Sequence, residues 1–211
     1  TNVAHEIRTP LTLINGPLEN ILLKKTVDPE IREDLNIMKQ NTERLLSLTN
    51  QLLDFRKTES QGFRLNFAEC NVTEVLKETY NRFTSLARQR ELDFVLNVAE
   101  QDFYAHVNKE AFTKIVSNLL NNAVKYAETY VHVFLEMNGI GEKRMFYIRT
   151  VNDGVIIPNE MKEEIFKPFV RFNEKEDGKV TTGTGIGLAL SRSLAELHQG
   201  SLMMLEGEEA N

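Results

Sequence analysis

The fold is decided by residues 118–126, which read Asn-Leu-Leu-Asn-Asn-Ala-Val-Lys-Tyr. In a helix, the spacing of Asn118, Asn122 and Lys125 places these three side chains on one face. The opposite face is apolar and is expected to be the core side, with Phe112, Val116, Leu119, Leu120 and Ala123. The stretch therefore predicts a helix that packs on a core and turns two amides and a cation outward.

Strands and helices are both expected around this central helix. Asn108 is a good N-cap, so the helix should run from there to about residue 127. Alternating apolar and polar residues predict strands at 64–69, 91–98, 130–137, 144–151 and 201–205. Helical patterns predict helices at 72–89 and 186–197. The part of the chain after residue 62 is therefore of the α+β class.

The first 60 residues have a different pattern. Apolar residues recur there every seven positions, at Ile31, Met38, Leu45 and Leu52. This repeat predicts a long helix that packs on other helices, and Asp28 followed by Pro29 marks its start. Residues 5–25 have helical periodicity as well, so the two helices should form an αα-hairpin. Because a hairpin alone cannot bury its apolar faces, we expect it to dimerise into a four-helix bundle.

Composition excludes several classes of protein. The 211 residues carry 25 Lys and Arg against 31 Asp and Glu, a formal charge of −6, which argues against a nucleic-acid binder. The one cysteine, Cys70, cannot form an internal disulfide, which favours a cytoplasmic location. No apolar run approaches the ~18 residues of a membrane span. Since the chain opens on Thr1 in the middle of a pattern, we expect it to be a fragment, so a membrane span elsewhere in its parent is not excluded.

Two short strings contain residue types that phosphoryl chemistry uses. Residues 183–188 read Gly-Thr-Gly-Ile-Gly-Leu before a helix, where glycines allow close backbone approach and free N–H groups attract phosphate. Residues 5–11 read His-Glu-Ile-Arg-Thr-Pro-Leu. Glu6 can accept the Nδ1–H of His5 and leave Nε2 as a nucleophile. Thr9 lies one helical turn after His5, on the same face.

The chain resembles the sensor histidine kinases of two-component systems. The resemblance implies that its parent is a sensor in the cell membrane, and a hybrid sensor is one form the parent can take. The resemblance rests on five boxes in family order, at 5–11, 118–126, 151–158, 165–172 and 183–188. It implies a dimerisation and histidine phosphotransfer hairpin over residues 1–62. It implies a catalytic domain over residues 63–211, a two-layer α/β sandwich of the Bergerat (GHKL) type that binds ATP and Mg²⁺.

The resemblance also implies roles for single residues. His5 would be phosphorylated, Glu6 would be the general base, and Thr9 would position water in a phosphatase reaction. Asn122 would ligate Mg²⁺ with help from Asn118. The nucleotide would be contacted, under a lid at 173–184, by Lys125, Tyr126, Gly154, Arg171, Gly183, Gly185 and Gly187.

The box at 151–158 departs from the family pattern. It reads Val-Asn-Asp-Gly-Val-Ile-Ile-Pro, where the family has Asp, any residue, Gly, any residue, Gly and then Ile-Pro. Counting back from the proline, Asn152 falls on the Asp that accepts a hydrogen bond from the adenine amino group, and Ile156 falls on the second Gly. Alternatively the register shifts by one and Asp153 contacts adenine. Both assignments remain open.

We expect a homodimeric kinase core that transfers the γ-phosphoryl group of ATP to His5 and then to an Asp of a response-regulator receiver domain. The alternative is a degenerate kinase that acts mainly as a phosphatase or a binding scaffold, which the changes at Asn152 and Ile156 motivate. A purely hydrolytic ATPase is disfavoured, because related hydrolytic enzymes carry a water-activating Glu where this chain has Asn118.

Overall fold

The computed structural model describes residues 2–23, 28–60, 64–99, 101–139, 145–172 and 184–205, with the backbone alone for residues 2–6. The chain divides into two compact units, residues 1–61 and residues 62–211. None of the helices in the described ranges is long and apolar enough to cross a membrane.

The first unit is a pair of helices, α1 (Asn2–Leu22) and α2 (Pro29–Glu59). The predicted start of the second helix is confirmed, because the Asp28 side chain accepts from the backbone N–H of Glu30 and Pro29 occupies the first turn. The two helices are tied side by side by the Arg32 guanidinium, which donates to the Leu22 carbonyl at 2.9 Å. They therefore form the predicted hairpin.

The apolar residues of this hairpin are divided between a buried side and an exposed side. The buried side holds Leu18, Thr42 and Thr49. The hydroxyl of each threonine donates to the backbone carbonyl four residues earlier. The residues of the sevenfold repeat are exposed instead, by 55%, 57%, 49% and 38% for Ile31, Met38, Leu45 and Leu52. A second exposed set recurs every seven positions on α1, at Ile7, Ile14 and Ile21.

The second unit contains the mixed strands and helices. Its main elements are β1 (Ala68–Asn71), α3 (Val72–Gln89), β2 (Asp93–Val98), β3 (Tyr104–Val107), α4 (Lys109–Tyr126), β4 (Tyr130–Asn138), β5 (Met145–Asn152) and α5 (Gly187–Leu197). Two short 3-10 helices, Asn159–Met161 and Glu164–Phe166, lie between β5 and α5.

The strands form two small sheets. β1 pairs with β3 in antiparallel fashion, while β2 runs parallel to β4 and β4 runs antiparallel to β5. The core lies between the sheets and the helices α3 and α4, which contribute Val72, Val75, Leu76, Val116, Leu120 and Val124. Four of the five predicted core residues of α4 are buried, and Leu119 is half-buried. The α+β class and the two-layer arrangement are thus confirmed.

Three strand predictions need correction. The strand placed at 64–69 begins only at Ala68, and β3 was not predicted at all. Residues 201–205 are not a strand. A strand needs a neighbour for its backbone groups, and none of the described segments pairs with 201–205. Its Leu202 carbonyl instead accepts from the Arg192 side chain at 3.1 Å.

Candidate functional site

The His-Glu string lies within the first half of α1. The backbone of His5 and Glu6 is helical, and their side chains lie outside the described residues. Thr9 is exposed on the same helix. The helix continues through Pro10 and Pro17. Each proline lacks an N–H, so two bonds are missing from the ladder of α1.

Hydrogen bonds between one side chain of α1 and one of α2 hold this turn of α1. Arg8 donates through Nε to the Asn50 Oδ1 at 3.0 Å, and its Nη2 donates to the same oxygen. Arg8 follows His5 by three residues and precedes Pro10 by two. The contact thus fixes the helix at a point where the missing proline N–H weakens its backbone hydrogen bonding.

The polar face of α4 is confirmed as a feature of the structure. Asn118, Asn122 and Lys125 are half-buried on the helix, and Tyr126 ends it with an exposed ring. Lys125 donates to the Tyr126 hydroxyl at 2.8 Å and lies 4.4 Å from the centre of that ring. No hydrogen bond within the described ranges reaches the Asn122 side chain. This amide is therefore available to a ligand.

Asn118 joins the α4 face to the start of α5. Its Nδ2 donates to the Gly187 carbonyl and to the Ser191 hydroxyl, each at 3.1 Å. Both bonds use the amide nitrogen, so the carbonyl oxygen remains for other partners. A Cβ on Gly187 would lie 3.6 Å from Asn118 Cγ, in ordinary contact. The first and last of the predicted nucleotide boxes therefore meet at this side chain.

The first turn of α5 offers free backbone donors. Its N-cap position is Ile186, which makes no side-chain capping bond. No described side chain accepts from the N–H groups of the first turn, and the positive end of the helix dipole favours an anion there. Gly185 lies just before this turn with φ +68°, a conformation that favours glycine. Residues 173–183, which include Gly183 and all of the predicted lid at 173–184 except Thr184, lie outside the described residues.

The phenylalanine box packs against the same glycine. The Phe169 N–H donates to the Gly185 carbonyl at 2.8 Å, and a Cβ on Gly185 would come within 2.8 Å of the Phe169 carbonyl carbon. Ile165 and Phe166 are buried, and the Arg192 guanidinium lies 3.7 Å from the centre of the Phe166 ring. Arg171 is exposed. The box thus anchors the backbone ahead of the glycine string.

The Asp153 carboxylate is held by hydrogen bonds from within the protein. It accepts from the backbone N–H groups of Glu128, Thr129 and Tyr130 at 2.9 to 3.2 Å, and from the Thr129 hydroxyl. The pKa of Asp153 lies well below its ordinary range, chiefly because of the Thr129 hydroxyl, with the three N–H groups adding to the effect. This side chain fastens the end of β5 to the loop between α4 and β4.

Gly154 brings the end of β5 against the end of α4. A Cβ at this position would lie 2.0 Å from the Tyr126 carbonyl oxygen and 2.9 Å from Asn152 Nδ2. Only glycine fits this close approach. Asn152 is half-buried, and no described group hydrogen-bonds to its side chain. The Asn152 amide therefore lies beside the C-terminal end of the polar face of α4.

Two arginines that support the site were missed in the sequence. Arg90 donates to the carbonyls of Lys125 at 2.7 Å and Ala127 at 3.2 Å, and to that of Val124, and so caps the end of α4. Arg192 pairs with Glu163 at 2.7 Å while it covers Phe166, and it lowers the pKa of Glu163. The sequence gives no hint of which distant carbonyls Arg90 will meet after α3, or which carboxylate Arg192 will meet from within α5.

Two of the three remaining histidines, His132 and His198, have structural partners. His132 lies 3.1 Å from Asp93, and His198 accepts from the Asn108 N–H at 3.1 Å while its Nδ1 faces the Leu194 carbonyl at 2.7 Å. No group of three His, Cys, Asp or Glu side chains arranged for a metal occurs among the residues that the structure describes.

The fold and the site define a nucleotide-binding α/β sandwich joined to a helical hairpin. Two family models match the chain: "His Kinase A (phospho-acceptor) domain" over residues 1–61, and "Histidine kinase-, DNA gyrase B-, and HSP90-like ATPase" over residues 107–210. The chain belongs to the sensor histidine kinases of two-component systems.

Individual relatives agree with this assignment. Histidine kinase P4 of Formosa agariphila is 31% identical over 99% of this chain and 15% of its own length, and sensor histidine kinase WalK of Bacillus subtilis is 28% identical over 95% and 33%. The chain therefore spans a third or less of these curated relatives.

Solved structures show the same fold. A histidine kinase ThkA in complex with response regulator protein TrrA is 26% identical, with a TM-score of 0.62 over 98% of this chain and 57% of that one. Full-length ShkA in complex with AMPPNP has a TM-score of 0.75 over 93% of this chain and 40% of that one, and at 24% identity it shows the fold alone.

Proposed function

We propose that this chain is the kinase core of a sensor, which phosphorylates His5 from ATP and passes the phosphoryl group to an Asp on a response-regulator receiver domain. One observation carries the proposal. Asn118 links the amide face of α4 to the first turn of α5, so amide oxygens lie beside the backbone N–H groups of that turn, with Lys125 further along the same face of α4. This is the donor set that a metal-bound triphosphate requires.

The residues present fit magnesium as well. Mg²⁺ prefers oxygen ligands and often takes only one or two from the protein, the rest being water and phosphate. Asn122 and Asn118 would supply these oxygens, and the ion would neutralise charge on the phosphates when bound. Lys125 and Arg171 would add positive charge, Tyr126 would contact the nucleotide, and Gly183, Gly185 and Gly187 would let the backbone approach the phosphates.

The chemistry at the hairpin is a nucleophilic displacement. Glu6 would accept the Nδ1–H of His5 and act as the general base, and Nε2 would attack the γ-phosphorus. The bond from the γ-phosphorus to the β,γ-bridging oxygen breaks, so ADP leaves and phosphohistidine remains. The receiver carboxylate then attacks that phosphorus, and the P–N bond breaks. In the phosphatase reaction, Thr9 would orient the water molecule that hydrolyses the phosphorylated receiver.

The domains and partners follow from the same reading. Residues 1–62 would dimerise and carry the phosphoryl group, and residues 63–211 would bind the nucleotide. The exposed repeats on α1 and α2 support a homodimer, since a second hairpin would cover them. The relative solved with a response regulator supports the second partner. Attachment of a longer parent to the cell membrane stays a prediction.

Labelled ATP tests the proposal directly. The wild type should incorporate acid-labile phosphate, His5→Gln should incorporate none, and Asn122→Ala should lose at least about 90% of the rate if its oxygen holds the metal. The matched control is Asn121→Ala, which removes an exposed amide from the neighbouring position of α4. Undiminished labelling of His5→Gln would refute the assignment of the phosphorylated residue.

The scaffold alternative is separated by nucleotide binding. Ile156 motivates it, yet this side chain is 86% exposed and does not fill the interior beside Gly154. We therefore expect measurable binding of Mg²⁺-ATP by calorimetry. A folded chain that binds no nucleotide and still accelerates dephosphorylation of a receiver would favour the alternative.

A further inference from the structure

Two neighbouring polar side chains at the end of β5 are in opposite states. Asp153 receives hydrogen bonds from a hydroxyl and three backbone N–H groups, which occupies both carboxylate oxygens. Asn152 receives none from the described residues, although it is half-buried. Releasing Asp153 for a ligand would strand the donors of the 128–130 loop, which is costly. Asn152 is therefore the side chain of this pair that is free to contact a bound base.

The position of Asn152 supports a contact with the nucleotide base. Its Nδ2 lies near Gly154, at 2.9 Å from where a Cβ would stand, and the same point is 2.0 Å from the Tyr126 carbonyl oxygen. Tyr126 ends the helix whose face carries Asn122 and Lys125. If phosphates bind toward the start of α5, the base extends to this other end of the site.

An amide interacts with a purine differently from a carboxylate. A carboxylate only accepts, so it suits the 6-amino group of adenine and repels a 6-oxo group. An amide both donates and accepts. Its Oδ1 can accept a hydrogen bond from the 6-amino group of adenine while its Nδ2 donates one to N1. When the amide is turned by 180°, its Nδ2 donates to a 6-oxo group and its Oδ1 accepts from N1–H. Because no described group fixes the Asn152 amide, both orientations are open to it.

We propose that Asn152 makes the nucleotide site of this kinase tolerant of 6-oxopurine nucleoside triphosphates as well as ATP. The inference rests on the proposed function, which it deepens by widening the class of phosphoryl donor. The transfer itself is unchanged: the bond to the β,γ-bridging oxygen breaks, and the 6-oxopurine diphosphate leaves in place of ADP.

Inosine triphosphate is the sharpest probe, because its base differs from that of ATP only at position 6 and in the proton on N1. Calorimetry with Mg²⁺ should give dissociation constants for ATP and inosine triphosphate within about tenfold in the wild type, since each base finds two amide partners. In Asn152→Asp, the preference for ATP should rise by about tenfold or more, because the carboxylate repels the 6-oxo group. Labelling of His5 from each γ-labelled nucleotide should follow the same ratios.

Two further variants serve as controls. Asn97→Asp makes the same charge change at an exposed site on β2 and should leave the ratio unchanged. Asp153→Asn should lower the melting temperature without changing the ratio.

The outcomes separate this inference from the proposed function. If ATP binds and inosine triphosphate binds more than about a hundredfold more weakly to the wild type, the inference is wrong and the kinase assignment stands. A change of ratio in Asp153→Asn, with none in Asn152→Asp, would give the role to Asp153 and also overturn it. If neither nucleotide binds, both the inference and the proposed function are wrong. The wild-type ratio decides the matter even if a variant fails to fold.

Discussion

Asp153 fastens the end of β5 to the loop between α4 and β4 through the hydrogen bonds that its carboxylate accepts. Its folded-state pKa is depressed, mainly by the Thr129 hydroxyl. A carboxylate of this kind contributes stability that is present above its unfolded pKa of about 3.9 and is lost as the pH falls through the lower folded pKa. Asp153→Asn removes this contribution, so it should lower the melting temperature at pH 7.

The difference in melting temperature between the two proteins should depend on pH in a direction that follows from the depressed pKa of Asp153. The gap in melting temperature between wild type and Asp153→Asn should be constant from about pH 8 to pH 5 and should shrink below about pH 4. Glu160→Gln, at an exposed carboxylate, is the control and should show no such gap. Equal melting temperatures for wild type and Asp153→Asn at pH 7 would contradict the prediction.

Gly154 is the residue at which an added methyl group should do most damage. In Gly154→Ala the new Cβ would meet backbone, the Tyr126 carbonyl oxygen at 2.0 Å, so β5 and α4 would have to separate. We expect a loss of about 2–3 kcal/mol of unfolding free energy in denaturant titrations, together with weaker ATP binding.

Gly200→Ala is the matched control for this variant. Among the described residues, its Cβ would meet the Ala195 carbonyl oxygen alone, at 3.4 Å, so a change within about 0.5 kcal/mol is expected. If both alanine variants unfold at the same denaturant concentration as the wild type, the packing explanation for Gly154 is wrong.

Residue roles divide into those with local causes and those with distant ones. Asn108 was predicted as a cap because its partner, the Ala111 N–H, is three residues away. The choice between Asn152 and Asp153 stayed open in the sequence, because the donors to Asp153 come from 23 to 25 residues earlier and meet it only when β4 pairs with β5.

At the scale of the element, α4 depends on a cap that comes from outside the helix. Arg90 follows α3 and donates to three carbonyls at the end of α4. Without it, those carbonyls lose a charged donor at the negative end of the helix dipole. Arg90→Ala should therefore cost about 1–2 kcal/mol in unfolding free energy, measured on the full chain by circular dichroism.

The control for this loss is Arg82→Ala, an exposed arginine within α3. It should change stability by less than about 0.5 kcal/mol. Arg90→Ala should also weaken ATP binding more than Arg82→Ala does, because Lys125 and Tyr126 lie in the turn that Arg90 caps. Equal effects of the two substitutions would show that the cap is unimportant.

Helices were more predictable than strands for a physical reason. The predicted range of α3, 72–89, coincides with Val72–Gln89, because its apolar spacing and its Asn71 cap are local features. β3 is only four residues long and gains its order from pairing with β1, which lies more than 30 residues earlier in the chain. The 201–205 segment has a strand-like sequence and no strand beside it among the described residues.

At the scale of the whole molecule, the hairpin leaves apolar surface uncovered. The repeat on α2 is exposed at every position, and Ile7, Ile14 and Ile21 form a similar stripe on α1. Leu18 and the two buried threonines lie on other positions, so the exposed stripes are not needed to hold the two helices together. Regular exposed stripes of this kind are typical of helices that pack on a second copy.

Because the exposed stripes and the buried residues of the hairpin occupy different positions, a suitable variant should separate the two copies without unfolding either. Ile14→Glu combined with Leu45→Glu would bury unpaired carboxylates in a dimer, at several kcal/mol in total, so the dimer should weaken by at least about a hundredfold. Sedimentation velocity on the full chain should show a monomer, while helix content by circular dichroism stays close to that of the wild type. Gln40→Glu adds an exposed charge to α2 off the stripe and should leave the dimer intact. A dimer that survives the double substitution would place the interface elsewhere, because each stripe would then tolerate a charge at its centre.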